Sequence, residues 1–199
     1  MTDKDLRQHR DNARMPNRWK PNVTVSAVIE RDQRFLLVEE NTSDGLRLNT
    51  PAGHLDPAET PLQACVREVL EETAYCFTPT ALVGIYMNRF IRTRTGSDIT
   101  YMRFAFTGDL GQHHAHRLLD EGIVRTVWLS LEELHATAHL HRSPVVLQSI
   151  QDYLSGQRFD IRMIQADASI YSVPEPSPHT QDLLAQLAAT DAVSATGQN

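Results

Sequence analysis

Cysteine is scarce: the 199-residue chain has two, Cys65 and Cys76. Two thiols cannot build a disulfide framework, which excludes the small cross-linked scaffolds of secreted domains. Two reduced thiols in a cytoplasmic protein are expected instead. Long apolar runs are missing as well. No stretch is long enough to cross a bilayer, and the N-terminus lacks the apolar core of a signal peptide, so no membrane association is expected. Positive charge is in deficit, with 19 Lys and Arg against 25 Asp and Glu and a formal net charge of −6. This argues against a broad surface for nucleic acid.

What is present suits one domain with extensions. Residues 1–20 are polar and nearly free of apolar side chains, and read as a flexible N-terminal arm. Asp3, Asp5 and Asp11 dilute its basic residues, against a nucleic-acid-binding role. Residues 21–171 carry the domain. Residues 172–199 read as a flexible tail, with Pro174, Pro176 and Pro178 breaking regular structure. A short amphipathic helix over Asp182 to Ala189 fits within that tail, with Leu183, Leu184 and Leu187 on one side.

Alternation of Val23, Val25, Ala27 and Ile29 predicts a strand, and Arg31-Asp32-Gln33 a turn into a second strand over Arg34 to Glu39. A short strand over Leu46 to Asn49 follows a polar loop. Ala81 to Ile91 and Ile99 to Thr107 read as a hairpin, then a long loop over Gln112 to Gly122, then a strand over Val124 to Leu129. Ser130 caps a short helix through Leu134. Ser143-Pro144 opens another, with Val145, Val146, Ile150 and Leu154 apolar, and Ser155-Gly156 closes it. Strands and helices interleave without strict alternation, which disfavours a simple doubly wound sheet.

The stretch that organises the chain is Gly53 to Tyr75, GHLDPAETPLQACVREVLEETAY. Thr60 to Thr73 reads as a helix, with Thr60 as its cap, Pro61 at the first position and Gln63 completing a capping box. Leu62, Cys65, Val66, Val69 and Thr73 form the expected buried stripe. Glu68, Glu71 and Glu72 stand at i, i+3 and i+4 beside that stripe. Three close carboxylates repel each other unless a hard cation such as Mg²⁺ takes their oxygens as ligands. Arg67 is placed to reach back to Glu59. The bland alternative is a solvated acidic helix face.

Gly53, Glu59, Arg67, Glu68, Val69, Glu71 and Glu72 together resemble the Nudix box at the required spacing. One position departs from it: Ala74 stands where the family has glycine. That glycine ends the helix in a left-handed conformation in the family; alanine either keeps it at a cost of about 1 kcal/mol or the helix ends differently, and no metal ligand is lost in either case. The segments PNVTVSAVI, PAGHLD, MRFAF and RSPVVLQSIQDYLSGQRFDIRMI resemble the NudJ-type branch, from Pro21 to about Ile164. The resemblance implies an α/β Nudix fold, an α/β/α sandwich around a mixed sheet. It implies a phosphatase of nucleoside tri- and diphosphates that also acts on hydroxymethylpyrimidine pyrophosphate, a thiamine precursor.

On this reading Glu68, Glu71 and Glu72 hold Mg²⁺ (or Mn²⁺), with the Gly53 carbonyl as a further ligand. A carboxylate takes a proton from the attacking water. Glu71 is the preferred base, Glu68, Asp120 and Glu121 the alternatives, and Arg67 and Glu59 orient the site. His54 and Arg103 are candidate substrate-binding residues. His54 is otherwise an ordinary loop histidine, and Arg103 a partner in an internal salt bridge. Phe104 or Trp128 can stack on a base or serve as core. His113, His114 and His116 form a loop cluster, a transition-metal site or merely solvated. Arg92 and Arg94 lie in a polar turn that can meet phosphates. Two rival functions stay open: a ligand-sensing module that has lost catalysis, which the intact glutamates disfavour, and a hydrolase of dinucleoside polyphosphates or oxidised nucleotides. Monomer and dimer are both compatible with the sequence.

Overall fold

The computed structural model describes residues 19–92 and 96–172. The chain divides into two compact units, 1–165 and 166–199. In the second, Ala168–Tyr171 forms a 3-10 turn whose start is capped by the Asp167 carboxylate, accepting from the Ser169 N–H at 2.9 Å. The arm before Trp19, the tail beyond Ser172 with its expected helix, and Arg94 lie outside the described residues.

In the first unit the elements run β1 (Asn22–Ala27), β2 (Glu30–Arg31), β3 (Arg34–Thr42), β4 (Gly45–Asn49), β5 (Ala52–His54), α1 (Pro61–Thr73), β6 (Tyr75–Ile91), β7 (Asp98–His113), β8 (Ile123–Ser130), α2 (Leu131–Ala136), α3 (Val145–Leu154) and β9 (Phe159–Asp160). They form two sheets. The larger has the order β5-β1-β7-β6-β9, with β1 parallel to β7 and the other pairs antiparallel. The smaller is centred on β3, which pairs with β2, β4 and β8.

Layering follows from β3. Leu36 packs into a core with Val25, Ala27, Phe106 and the α1 residues Ala64, Cys65 and Val69. Its neighbours Phe35 and Leu37 pack the other way, with Leu134 of α2 and Val146 and Ile150 of α3. Strands buried on both faces read as continuous apolar runs, and helices cover each side. This is the α/β arrangement of mixed sheets and helices expected from the sequence. Among the described residues, no helix is long and apolar enough to cross a membrane. Cys65 is buried and Cys76 exposed, and both thiols are free.

Three expectations need correction. The hairpin strands are longer than alternation indicated. β6 starts at Tyr75 and β7 continues to His113, through register shifts near Phe77, Pro79 and Leu82 that break the period-two pattern. Val66 does not belong to the buried stripe and is 37 % exposed. The buried arc of α1 instead takes in Ala64, Cys65, Glu68, Val69, Glu72 and Thr73, so two carboxylates point inward. The loop after β3 is shorter than expected, because Asn41 and Thr42 belong to β3 and Gly45 to β4.

Candidate active site

The α1 start is built as the sequence indicates. The Thr60 hydroxyl accepts from the Gln63 N–H at 3.3 Å, and the Gln63 side chain accepts from the Thr60 N–H at 2.9 Å. Such a cap stabilises a helix by about 1 kcal/mol. At the other end Ala74 takes the left-handed conformation, φ 58° and ψ 15°, and its N–H donates to the Leu70 carbonyl at 3.0 Å. Alanine therefore closes the helix in the conformation a glycine would adopt.

Arg67 ties the helix to the loop before it. Its Nε and Nη2 donate to the two oxygens of Glu59 at 3.0 and 2.7 Å, and Nη2 also reaches the His54 carbonyl at 3.0 Å. Its Nη1 donates to Glu68 at 2.7 Å and Glu71 at 3.1 Å. The hydrogen bond from Arg67 is the main reason the Glu59 carboxyl lies below its usual range; burial opposes it and the Asp56 N–H adds to it. Glu59 in turn fixes the loop by accepting from the Asp56 N–H at 2.7 Å.

Glu68 and Glu72 are buried beside β5. A Cβ on Gly53 would fall 2.0 Å from Oε1 of Glu68, so the missing side chain is what lets this carboxylate lie against the β5 backbone. Glu72 accepts from the Ala52 N–H at 2.8 Å. Burial first, then the nearby Glu40, Glu68 and Asp120, lift its carboxyl to about 9 against the pull of that N–H. Glu68 is raised too, first by burial, with Arg67 opposing. Buried carboxylates crowded in this way fit a hard divalent cation: the donors are all oxygens, and bound positive charge would relieve both repulsion and burial. Glu71 is ion-paired with Arg67 and does not line the neighbouring cavity. Among the described residues, no three His, Cys, Asp or Glu side chains are already grouped as a ligand set. Arg67 occupies one oxygen of Glu68 and one of Glu71, which leaves the second oxygen of each for a cation.

That cavity, of about 590 Å³, opens between the two sheets and brings together Gly53, His54, Glu72 and Arg103. Thr24 of β1 is paired in register with His54 on one side and Arg103 on the other, which puts the three on one face of the sheet. Among the described residues Arg103 makes no salt bridge; its Nη1 donates to the Asn49 side-chain oxygen at 3.2 Å. Asn49 donates to Glu40 at 2.7 Å, and Glu40 lies 3.6 Å from Arg142. Burial lowers the pKa of Arg103, while Glu40 and Glu72 pull it back up.

Glu40, Asn49, Tyr101 and Arg142 escaped sequence reasoning as site residues. The signal available was weak: a Glu-Glu pair ending the apolar run of β3 and an asparagine before Thr50-Pro51. The loop acids separate. Glu121 lines the cavity, while the Asp120 N–H donates to the Glu71 carbonyl at 3.0 Å. Phe104 and Trp128 pack against the α1 core, and Arg31 lies over the Trp128 ring at 4.3 Å; the aromatic residues on the cavity are Phe90 and Tyr101. In the histidine loop, His113 packs on Tyr75 and His114 Nε2 lies 3.2 Å from Cys76 Sγ, apart from this site. Arg92 closes its turn through its backbone, donating to the Ser97 carbonyl at 2.9 Å.

With this geometry in view, the class is defined by comparison with known proteins. The NUDIX domain matches residues 20–149, and the chain belongs to the Nudix family and is a Nudix hydrolase. Within it, the chain is 37 % identical over 146 residues to phosphatase NudJ of Escherichia coli K12, covering 73 % of this chain and 92 % of that protein. Among solved structures, a NUDIX hydrolase from Nitrosomonas europaea is 47 % identical with a TM-score of 0.69, covering 74 % of this chain and 98 % of the other. The NUDIX domain of Shewanella oneidensis NrtR, solved with ADP ribose, shares the fold at 18 % identity and a TM-score of 0.54, over 78 % and 99 % of the two chains.

Proposed function

We propose that this hydrolase is a Mg²⁺-dependent (or Mn²⁺-dependent) phosphatase of nucleoside tri- and diphosphates, and of hydroxymethylpyrimidine pyrophosphate, releasing phosphate in the cytoplasm. The observation that carries the reading is the pairing of two elements at one place. Glu68 and Glu72 are sunk beside the side-chain-free Gly53, and a nucleotide-sized cavity adjoins them. The likeness to phosphatase NudJ supports the choice of product.

Glu68, Glu71, Glu72 and the Gly53 carbonyl are the groups that would hold the cation, which would act as a Lewis acid and offset the negative charge that develops on the phosphate during hydrolysis. Arg67 holds Glu68 and Glu71 in place, fixes the loop after β5 through Glu59, and bonds the His54 carbonyl at the end of β5. His54 and Arg103 bind substrate from the sheet face. Glu71 accepts the proton of the attacking water, with Glu68, Asp120 and Glu121 as the other carboxylates in reach of that role.

Phosphorus NMR of the products tests the proposal, with a nucleoside triphosphate, a nucleoside diphosphate and hydroxymethylpyrimidine pyrophosphate each offered with and without Mg²⁺. Metal-dependent release of inorganic phosphate is expected. Release of pyrophosphate, or cleavage of dinucleoside polyphosphates alone, would overturn the phosphatase reading and leave a Nudix pyrophosphohydrolase.

A further inference from the structure

The cavity carries an unmet set of hydrogen-bonding groups. Among the described residues, Arg103 Nε, Thr24 Oγ1 and Ser143 Oγ are all buried without a partner, and all three residues line this one cavity. A buried unpaired donor costs about 1–3 kcal/mol, so such a cluster is retained where something comes to satisfy it. The neighbouring charges restrict what that is. Arg103 and Arg142 face the Glu40 carboxylate, which already accepts from Asn49. A polyphosphate placed here would press negative charge against Glu40. A neutral ring with both a donor and an acceptor on its edge would meet donors and a carboxylate together.

The same cavity offers a surface for such a ring. Tyr101 stands two residues before Arg103 on β7, so both side chains project from one face of the sheet. The Tyr101 and Phe90 rings are near-parallel, 15° apart with centroids at 5.8 Å, and His54 lies 5.9 Å from Tyr101 on its other contact. All three line the cavity.

We propose that this part of the cavity is a heterocycle-recognition pocket, in which Arg103 and Glu40, coupled through Asn49, read the donor and acceptor edge of a nucleobase or aminopyrimidine, and Tyr101 with Phe90 forms the wall on which the ring lies. This deepens the proposed function and rests on it for the position of the phosphates. It makes Arg103 a specificity residue for the base.

The test compares cytidine triphosphate and adenosine triphosphate with ribose 5-triphosphate, which has the same charged tail and no base. In the full-length protein kcat/KM should favour the base-bearing substrates. Arg103→Met should cut that preference at least tenfold, mainly through KM, and Tyr101→Leu should cut it as well, so that a folding defect in one variant leaves the other. Equal losses on substrates with and without a base would overturn the pocket and make Arg103 a phosphate-binding or structural residue. Saturation-transfer NMR with free cytidine, adenosine and an aminopyrimidine reads the pocket without hydrolysis. Binding of at least one is expected, and binding of none overturns the inference. If the wild type turns over no triphosphate yet binds these rings, the proposed reaction fails and the pocket stands.

Discussion

Ala74 makes the sharpest case at the scale of one residue. It holds φ 58°, a region where an L side chain crowds the neighbouring carbonyl at a cost of about 1 kcal/mol. Its neighbours enforce that conformation, since its N–H closes the last turn of α1 on Leu70 and its carbonyl accepts from the His114 N–H at 2.8 Å. Ala74→Gly should therefore stabilise the protein by about 1 kcal/mol, less a small loss for the greater freedom of glycine in the unfolded chain. The check is the urea midpoint at constant slope. A midpoint that stays put or falls would mean the methyl group, almost fully buried, packs well enough to offset its strain. Gly53 is the converse, for there the absence of a side chain is what seats Glu68.

At the scale of elements, Arg67 joins α1 to the loop after β5, and its fork on Glu59 is the strongest part of the joint. The sign of its pH dependence is fixed. Glu59 has its carboxyl lowered from 4.5 in the folded state, chiefly by Arg67, so the unfolded chain binds its proton more readily. The stabilisation is complete above 4.5 and is lost as pH falls through the lower folded value. Glu59→Gln keeps the shape and removes the charge. The variant should be less stable by about 2 kcal/mol near pH 7, the size of a charged hydrogen bond. The gap should narrow steadily below pH 4.5. Thermal melts of both proteins across that range check it, and a gap independent of pH would show that packing, not ionisation, holds the joint.

These same elements show what could be read in advance. The cap of α1, the turn before β3 and the Arg67–Glu59 pair are local chemistry, separated by at most eight positions, and spacing alone reveals them. The inward rotation of Glu68 and Glu72 was not legible. A carboxylate on a helix reads as solvated unless the strand beside it is known to carry a glycine at the point of contact. The extent of β6 was hidden by its bulges, since each extra residue reverses the alternation that marks a strand. The cavity was least visible of all. Arg103, Asn49, Glu40 and Arg142 come from four segments, Asn49 and Arg103 being 54 positions apart, and nothing in any one of them points to the others.

At the scale of the molecule, the two sheets and α1 converge on one acidic wall and one mixed-charge wall of the same cavity. The acidic wall is where binding and folding should be coupled. Metal that binds the folded chain and not the unfolded one stabilises it by about 2.7 kcal/mol at a hundred times its dissociation constant. The wild type should therefore melt at a higher temperature as Mg²⁺ is added, while Ca²⁺, which prefers more ligands at longer range, should give a different dose dependence. Glu72→Gln is the discriminating variant. Its amide oxygen can still accept from the Ala52 N–H, and the neutral side chain suits a buried position, so the metal-free fold should melt close to the wild type. What it lacks is the anionic oxygen facing Glu68. Most turnover and most of the Mg²⁺-dependent shift in melting temperature should disappear together. If turnover is lost while the shift persists, Glu72 acts on the substrate and the cation sits elsewhere. If both persist, the acidic wall is a structural feature and the metal site must be sought among other carboxylates, beginning with Asp120 and Glu121.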